Sequence, residues 1–94
     1  MDLTSIIRQP GTRIIDVREP YEYEERHIPG AANIPLASLL DHMQDFQEKG
    51  SPVVVYCDGG TRGKQAALLL QVNGFQAVYN AGGLADAARM VGGA

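Results

Sequence analysis

The sequence predicts an α/β fold in which helices cover both faces of a parallel sheet of about four strands. Two observations lead to this prediction. Short β-branched and aliphatic runs alternate along the chain with stretches whose apolar residues recur at helical spacing. The run at residues 53–56 is continuously apolar and mostly β-branched, which is typical of a central parallel strand that is buried on both faces.

The amino-terminal part of the chain predicts a helix and then a strand. Leu3, Ile6 and Ile7 are spaced as on one face of a short amphipathic helix. The Pro-Gly pair at residues 10–11 ends that helix. Residues 13–17 are apolar at their centre and predict a short buried strand.

A second helix, a very short strand and a third helix follow. Pro20 suits the first turn of a helix. That helix must stop near His27, because Ile28 precedes a proline. Residues 31–34 predict a very short strand. One helical face is then traced by Leu36, Leu39, Leu40, Met43 and Phe46.

The second half of the chain continues the alternation. A loop at residues 49–52 leads to the strand at 53–56, and the helix after it runs to about Val72, with a cap at residues 73–74. Residues 76–79 predict a strand and residues 80–83 a turn. The last helix presents a stripe of Leu84, Ala87, Ala88 and Val91 before a frayed tail at residues 92–94.

Length and charge exclude several classes of protein. The 94 residues predict one domain, residues 1–94, with one modest core. A formal net charge of -3 and the absence of a basic run disfavour nucleic-acid binding. No apolar stretch approaches the roughly 20 residues that span a membrane.

The single cysteine indicates the compartment. It cannot form an internal disulfide or a cysteine-based zinc site. The amino terminus lacks the features of a secretory signal, although a mature chain whose signal had been removed would look the same. We therefore expect a cytoplasmic protein, where a lone thiol stays reduced.

Cys57 is the candidate nucleophile. It stands where a buried strand ends and a helix begins, and ligands bind at the carboxyl ends of strands in open parallel sheets. Free N–H groups and the positive dipole end of the helix favour a thiolate there. The alternative is a small buried hydrophobic residue, the common fate of a free cysteine. We expect the glycine-rich loop after Cys57 to be accessible, which favours the nucleophile.

The rest of the loop, Asp58-Gly59-Gly60-Thr61-Arg62, is the candidate binding segment. Adjacent glycines favour close approach of the backbone to a ligand. Arg62 either hydrogen-bonds loop carbonyls or binds an oxyanion of the substrate; the alternative is a solvated arginine.

Asp16 and Arg18 follow the first predicted strand. If that strand neighbours residues 53–56, their side chains lie near the cysteine loop in a supporting role. A structural ion pair that fixes the loops is the simpler interpretation. We expect His42 to be solvated and His27 to make a structural hydrogen bond. A Cys–His dyad is disfavoured, since nothing supplies the orienting partner.

Four segments resemble the motifs of rhodanese-like domains. Residues 15–19 (Ile-Asp-Val-Arg-Glu) and 27–35 (His-Ile-Pro-Gly-Ala-Ala-Asn-Ile-Pro) are similar to the paired signature of that family. The loop 57–62 resembles its active-site loop, and residues 80–83 (Asn-Ala-Gly-Gly) resemble the turn before its final helix.

The resemblance implies a three-layer sandwich with the strands in the order 76–79, 53–56, 13–17, 31–34. It implies a thiosulfate sulfurtransferase that moves sulfur from a small donor to cyanide or a thiol acceptor. Cys57 would form the persulfide, the amides of residues 58–62 would cradle the transferred sulfur, and no metal or organic cofactor would be needed.

Two alternatives stay open within the family: a persulfide carrier in a protein sulfur relay, and a non-catalytic interaction module, which typically lacks the cysteine. Related dual-specificity phosphatases have one more residue between cysteine and arginine, so a phosphatase is a distant alternative.

Three residues depart from the family pattern. Asp58 places a carboxylate beside the nucleophile, where a basic or neutral residue is frequent. A like charge there disfavours binding of thiosulfate. Arg26 stands where glycine is frequent, and Leu84 where tryptophan is common.

Overall fold

Strands and helices alternate throughout residues 2–45 and 50–92, which the computed structural model describes. The elements in chain order are α1 (Leu3–Arg8), β1 (Arg13–Asp16), α2 (Pro20–Glu25), β2 (Ala32–Asn33), α3 (Leu39–His42), β3 (Val53–Cys57), α4 (Thr61–Val72), β4 (Val78–Gly83) and α5 (Leu84–Gly92). The predicted α/β class is confirmed.

The strands form one parallel sheet in the order β2-β1-β3-β4. This is the order that the family resemblance implies. From β1 the chain moves outward to β2, whereas from β3 it moves to the other side, to β4. The strand order therefore reverses between β1 and β3, and ligands bind outside the carboxyl ends of strands at such a point. Cys57 is the last residue of β3.

Two apolar clusters pack on opposite faces of the sheet and make the three layers. All five residues of β3 are buried, and they alternate between the two faces. Val53, Val55 and Cys57 belong to the cluster that includes Ala66 and Leu70 of α4. Val54 and Tyr56 belong to the second cluster, with Ile6 and Ile7 of α1 and Ala87 of α5.

The predicted third helix is wrong as a continuous element. Residues Leu36–Ser38 and Met43–Asp45 are 3₁₀ turns, and only Leu39–His42 between them is α-helical. A 3₁₀ turn has about 3.0 residues per turn, so the apolar positions drift off one face. Of the two leucines in the α-helical turn, Leu39 is fully buried and Leu40 is 59% exposed. Phe46 and Lys49, at the end of this helix and the start of the next predicted loop, lie outside the described residues.

The predicted turn at residues 80–83 is also wrong, because these residues extend β4 to Gly83. The register with β3 shifts between Val55 and Cys57, so that Cys57 pairs with Gly83. Gly82 has a φ of +90°, a conformation that glycine adopts at little cost. The strand can therefore bend and still pair with β3.

Most other boundaries agree with the sequence to within two residues, β2 and β4 being shorter at their starts than predicted. Pro20 begins α2, and Gly74 after α4 has a φ of +95°, as a C-terminal cap requires. Gly92 belongs to α5 and not to a tail; residues 93–94 lie outside the described ranges. In those ranges, no helix is long and apolar enough to cross a membrane.

Candidate active site

The sulfur of Cys57 lies at the N-terminal end of α4. It accepts hydrogen bonds from the backbone N–H groups of Gly60, at 2.9 Å, and Gly63, at 3.3 Å. Both donors belong to the helix end whose N–H groups have no partners within the helix and whose dipole is positive. The surroundings of the sulfur therefore favour a negative charge on it.

Cys57 itself is buried, with 1% of its surface exposed. The expected accessibility applies to the loop that follows and not to the cysteine, because the Cys57 side chain packs in the layer beneath α4. The residues directly above it, Asp58, Gly59 and Thr61, are exposed.

Two glycines let the backbone close around the sulfur. Gly60 precedes α4 with a φ of +97°, in the left-handed region that favours glycine. At Gly63, an added Cβ would lie 2.3 Å from Oδ1 of Asn80. Any larger residue at position 63 therefore displaces either the helix start or Asn80.

Arg62 is paired with Glu22 of α2. Its two terminal nitrogens donate to the two carboxylate oxygens at 2.8 and 3.2 Å. The bond from Arg62 lowers the pKa of Glu22 to about 2, and the same bond raises the pKa of Arg62. Glu22 is fixed from its own side as well, since it accepts the N–H of Glu19 at 3.0 Å. The cation of the loop thus already has a partner from another element.

Asp58 has a fixed backbone and an exposed side chain. Its carbonyl oxygen packs so closely on β4 that a Cβ on Gly83 would lie 2.2 Å from it. The residue as a whole is exposed. An exposed carboxylate therefore stands next to Cys57 in the chain.

Asp16 and Arg18 form a buried ion pair, 0% and 4% exposed. Arg18 donates to both carboxylate oxygens, at 3.0 and 2.7 Å, and this bond raises the pKa of Arg18. Arg18 also donates to the carbonyl oxygen of Arg26, at 2.6 Å, and its guanidinium lies 5.7 Å from the ring centre of Tyr56. The pair connects the ends of β1 and α2, and Arg18 lies beside Tyr56, which directly precedes Cys57.

In both histidines, Nδ1 lies within hydrogen-bond distance of the backbone carbonyl oxygen four residues earlier in the chain. That of His27 lies 2.7 Å from the oxygen of Tyr23, whose ring stacks on the imidazole, and that of His42 lies 2.9 Å from the oxygen of Ser38. Within residues 2–45 and 50–92, neither histidine hydrogen-bonds to Cys57. These contacts give no support to a Cys–His dyad.

Three residues of the site were missed in the sequence. The sequence does mark Gly63 as unusual, since glycine is a poor helix former and here stands in the first turn of a predicted helix. Asn80 falls in the predicted turn, and the pattern of that turn does not indicate that its amide donates to the carbonyl oxygen of Gly60 at 3.0 Å. Glu22 lies 40 positions before Arg62, and nothing in the local sequence indicates that the two meet.

The chain matches proteins of one family. The model of the rhodanese-like domain matches residues 2–88. Thiosulfate sulfurtransferase PspE of Escherichia coli strain K12 is 41% identical over 75 residues, which are 79% of this chain and 72% of PspE.

A longer protein and a solved structure agree with this match. The tRNA uridine(34) hydroxylase of Cronobacter sakazakii is 33% identical over 96 residues, 94% of this chain but only 27% of the hydroxylase. A solved structure of a rhodanese with anions from E. coli is 39% identical with a TM-score of 0.76, covering 80% of this chain and 89% of that one. The chain therefore belongs to the family of rhodanese-like domains.

Proposed function

We propose that the protein is a sulfurtransferase that carries a sulfane sulfur as a persulfide on Cys57. The observation that supports this most directly is the pair of backbone N–H donors on the cysteine sulfur. They stabilise charge on sulfur without a histidine base, as an oxyanion hole stabilises charge on oxygen. The family membership and the likeness to PspE point the same way.

The proposed reaction is a double displacement. The thiolate of Cys57 attacks the outer sulfur of thiosulfate, the S–S bond of the donor breaks, and sulfite leaves with the bonding electron pair. Cys57 is then a persulfide whose terminal sulfur is negative. Cyanide or a thiolate attacks that sulfur, takes it up, and releases the Cys57 thiolate. No net oxidation of the protein occurs over the cycle.

The proposed cradle for the terminal sulfur is the loop Asp58-Gly59-Gly60-Thr61-Arg62. Gly60 already donates to the Cys57 sulfur, and the following peptide groups border the exposed side from which a donor approaches. We propose for Arg62 a role in holding the loop, supported by its pairing with Glu22. The buried pair of Asp16 and Arg18 supports the loop indirectly, through Tyr56.

A persulfide carrier in a protein relay is the second candidate. Two charges of the site favour it: Arg62 is neutralised by Glu22, and Asp58 is exposed beside the nucleophile. Both weaken the attraction for a small dianion such as thiosulfate. A protein persulfide would not suffer this repulsion to the same degree, since its reacting group carries at most a single charge.

Mass spectrometry of the intact protein tests the proposal. Incubation with thiosulfate is expected to add the mass of one sulfur atom, and cyanide is expected to remove it. Cys57→Ser, which retains the size of the side chain, is expected to gain nothing while its circular dichroism spectrum stays unchanged. Sulfur gained by a folded Cys57→Ser protein would contradict the mechanism.

The same measurement separates the two candidates. Fast loading from thiosulfate supports the transferase. Slow loading from thiosulfate with fast loading from a protein persulfide supports the carrier. In either case we propose that residues 1–94 act as one domain, which the match over residues 2–88 supports, and that the protein works in the cytoplasm, where its single thiol stays reduced.

A further inference from the structure

Asn80 joins the sheet to the start of α4. Its Nδ2 donates to the carbonyl oxygen of Gly60 at 3.0 Å, and its Oδ1 accepts the N–H of Gly82 at 3.0 Å. Because both ends of the amide are bound to backbone groups, its orientation is fixed as well as its position.

The hydrogen bond from Asn80 to the carbonyl oxygen of Gly60 orients the peptide group that joins Gly60 to Thr61. The same carbonyl oxygen accepts the N–H of Lys64 at 2.9 Å, so this C=O points along α4. In a planar trans peptide the N–H points away from the C=O, so the N–H of Thr61 points out of the N-terminal end of the helix. The sulfur of Cys57 lies at that end, where it accepts the N–H of Gly63.

The same amide also packs against Gly63. A Cβ added to Gly63 would lie only 2.3 Å from Oδ1 of Asn80, and this short distance measures how close the contact is. One side chain therefore touches both residues, Gly60 and Gly63, whose N–H groups donate to the sulfur.

We propose that Asn80 is a positioning residue for sulfur transfer, holding the peptide groups at the start of α4 with their N–H groups directed at the sulfur on Cys57. The inference rests on the proposed function. Asn80 acts through Gly60 and Gly63, so its loss leaves the nucleophile in place but loosens the donors that stabilise negative sulfur.

Two substitutions of Asn80 and one control test the inference. Asn80→Ala removes both hydrogen bonds of the amide. Asn80→Asp is isosteric and keeps an acceptor for Gly82, but an ionised carboxylate has no donor for the oxygen of Gly60. Asn73→Ala is the matched control, because the Asn73 amide donates to the carbonyl oxygen of Leu69, at 2.8 Å, at the other end of α4.

Three measurements are made on each protein: single-turnover sulfur loading from thiosulfate by intact mass, alkylation of Cys57 by iodoacetamide as a function of pH, and the thermal midpoint. Both Asn80 variants are expected to load about tenfold more slowly, a smaller loss than the roughly hundredfold that follows direct removal of an oxyanion donor. Their alkylation profiles are expected to move to higher pH. Asn73→Ala, which loses a hydrogen bond at the far end of α4, is expected to match the wild type in sulfur loading and in its alkylation profile.

The outcomes separate this inference from the proposed function. Folded Asn80 variants that load sulfur at the wild-type rate, or that lose only thermal stability with an unchanged alkylation profile, would overturn the positioning role. If Asn80→Ala does not fold, Asn80→Asp decides. If the wild type itself gains no sulfur, the proposed function fails, and the alkylation profiles still decide whether Asn80 influences the thiol.

Discussion

Arg62 and Glu22, 40 positions apart in the chain, are joined by two hydrogen bonds between guanidinium and carboxylate. The pair connects the loop after Cys57 to α2, across the carboxyl edge of the sheet. Because Arg62 is paired with Glu22, its positive charge is less available to attract an anionic substrate. The stability of the loop and the charge at its entrance therefore depend on the same ion pair.

Glu22→Gln is expected to remove a pH-dependent part of the stability. The folded pKa of Glu22 is about 2, below the ordinary 4.5, so ionised Glu22 stabilises the fold above about pH 4.5 and this contribution disappears as the pH falls towards about 2. We expect a loss of about 1 kcal/mol at neutral pH, since the pair is partly exposed. Urea unfolding at neutral and acidic pH measures this loss of stability.

The control for this prediction is Glu25→Gln, an exposed position at the end of the same helix. The wild type and the control should both lose stability on acidification, and Glu22→Gln should lose less. Parallel curves for all three proteins would show that the ion pair contributes nothing in solution.

Asp58→Ala is expected to lower the KM for thiosulfate. An exposed carboxylate near the donor site contributes about 1 kcal/mol of repulsion towards an anion, or about fivefold in KM. Steady-state kinetics at low and high salt measure the effect, which should shrink with added salt. Asp41→Ala removes the same charge from an exposed position on α3. An equal change in both variants would assign the effect to net charge alone.

Tyr56→Phe is expected to destabilise the protein by about 1–3 kcal/mol, the usual cost of leaving a buried N–H without a partner. The hydroxyl of Tyr56 accepts the N–H of Ile28 at 3.0 Å, and Tyr56 is fully buried. Urea denaturation compares it with Tyr21→Phe, where the side chain is 66% exposed and no change is expected. Equal stability of the two variants would refute the structural role of this bond.

Gly63→Ala is expected to slow sulfur loading by about tenfold or more, although alanine ordinarily stabilises a helix by about 1 kcal/mol over glycine. The new Cβ would lie 2.3 Å from Oδ1 and 3.0 Å from Cγ of Asn80. Either the start of α4 or the Asn80 side chain must therefore move. Gly92→Ala in α5 is the control, since its Cβ would have nothing within 4 Å. Unchanged loading by Gly63→Ala would show that the start of α4 accommodates the methyl group.

The order of the strands could be predicted because the chain resembles rhodanese-like domains, whose topology supplies an order that no single segment encodes. The run at residues 53–56 is continuously apolar and so indicates a central strand, and the motifs around Asp16 and Cys57 carry the family resemblance that orders its neighbours. Local spacing also identified the helix that ends near Val72 and its glycine cap at Gly74.

The contacts that shape the site could not be predicted in the same way. Glu22 and Asn80 reach the cysteine loop from distances of 40 and 20 positions, and only the assembled sheet brings them there. The failure at residues 36–45 has a different cause. Apolar residues three and four positions apart are compatible with both an α-helix and short 3₁₀ turns, so their spacing alone does not show that the helix is interrupted.

The alternation of β3 between the two helical layers limits where the active-site loop can change its length. Inserting one residue before Tyr56 within the strand would reverse the facing of every later side chain. The thiol would then turn into the layer of α1 and α5, and the ring of Tyr56 would take its place beneath α4. An active-site loop of different length, for a larger substrate, can therefore be engineered only between Cys57 and Arg62, where the strand has ended.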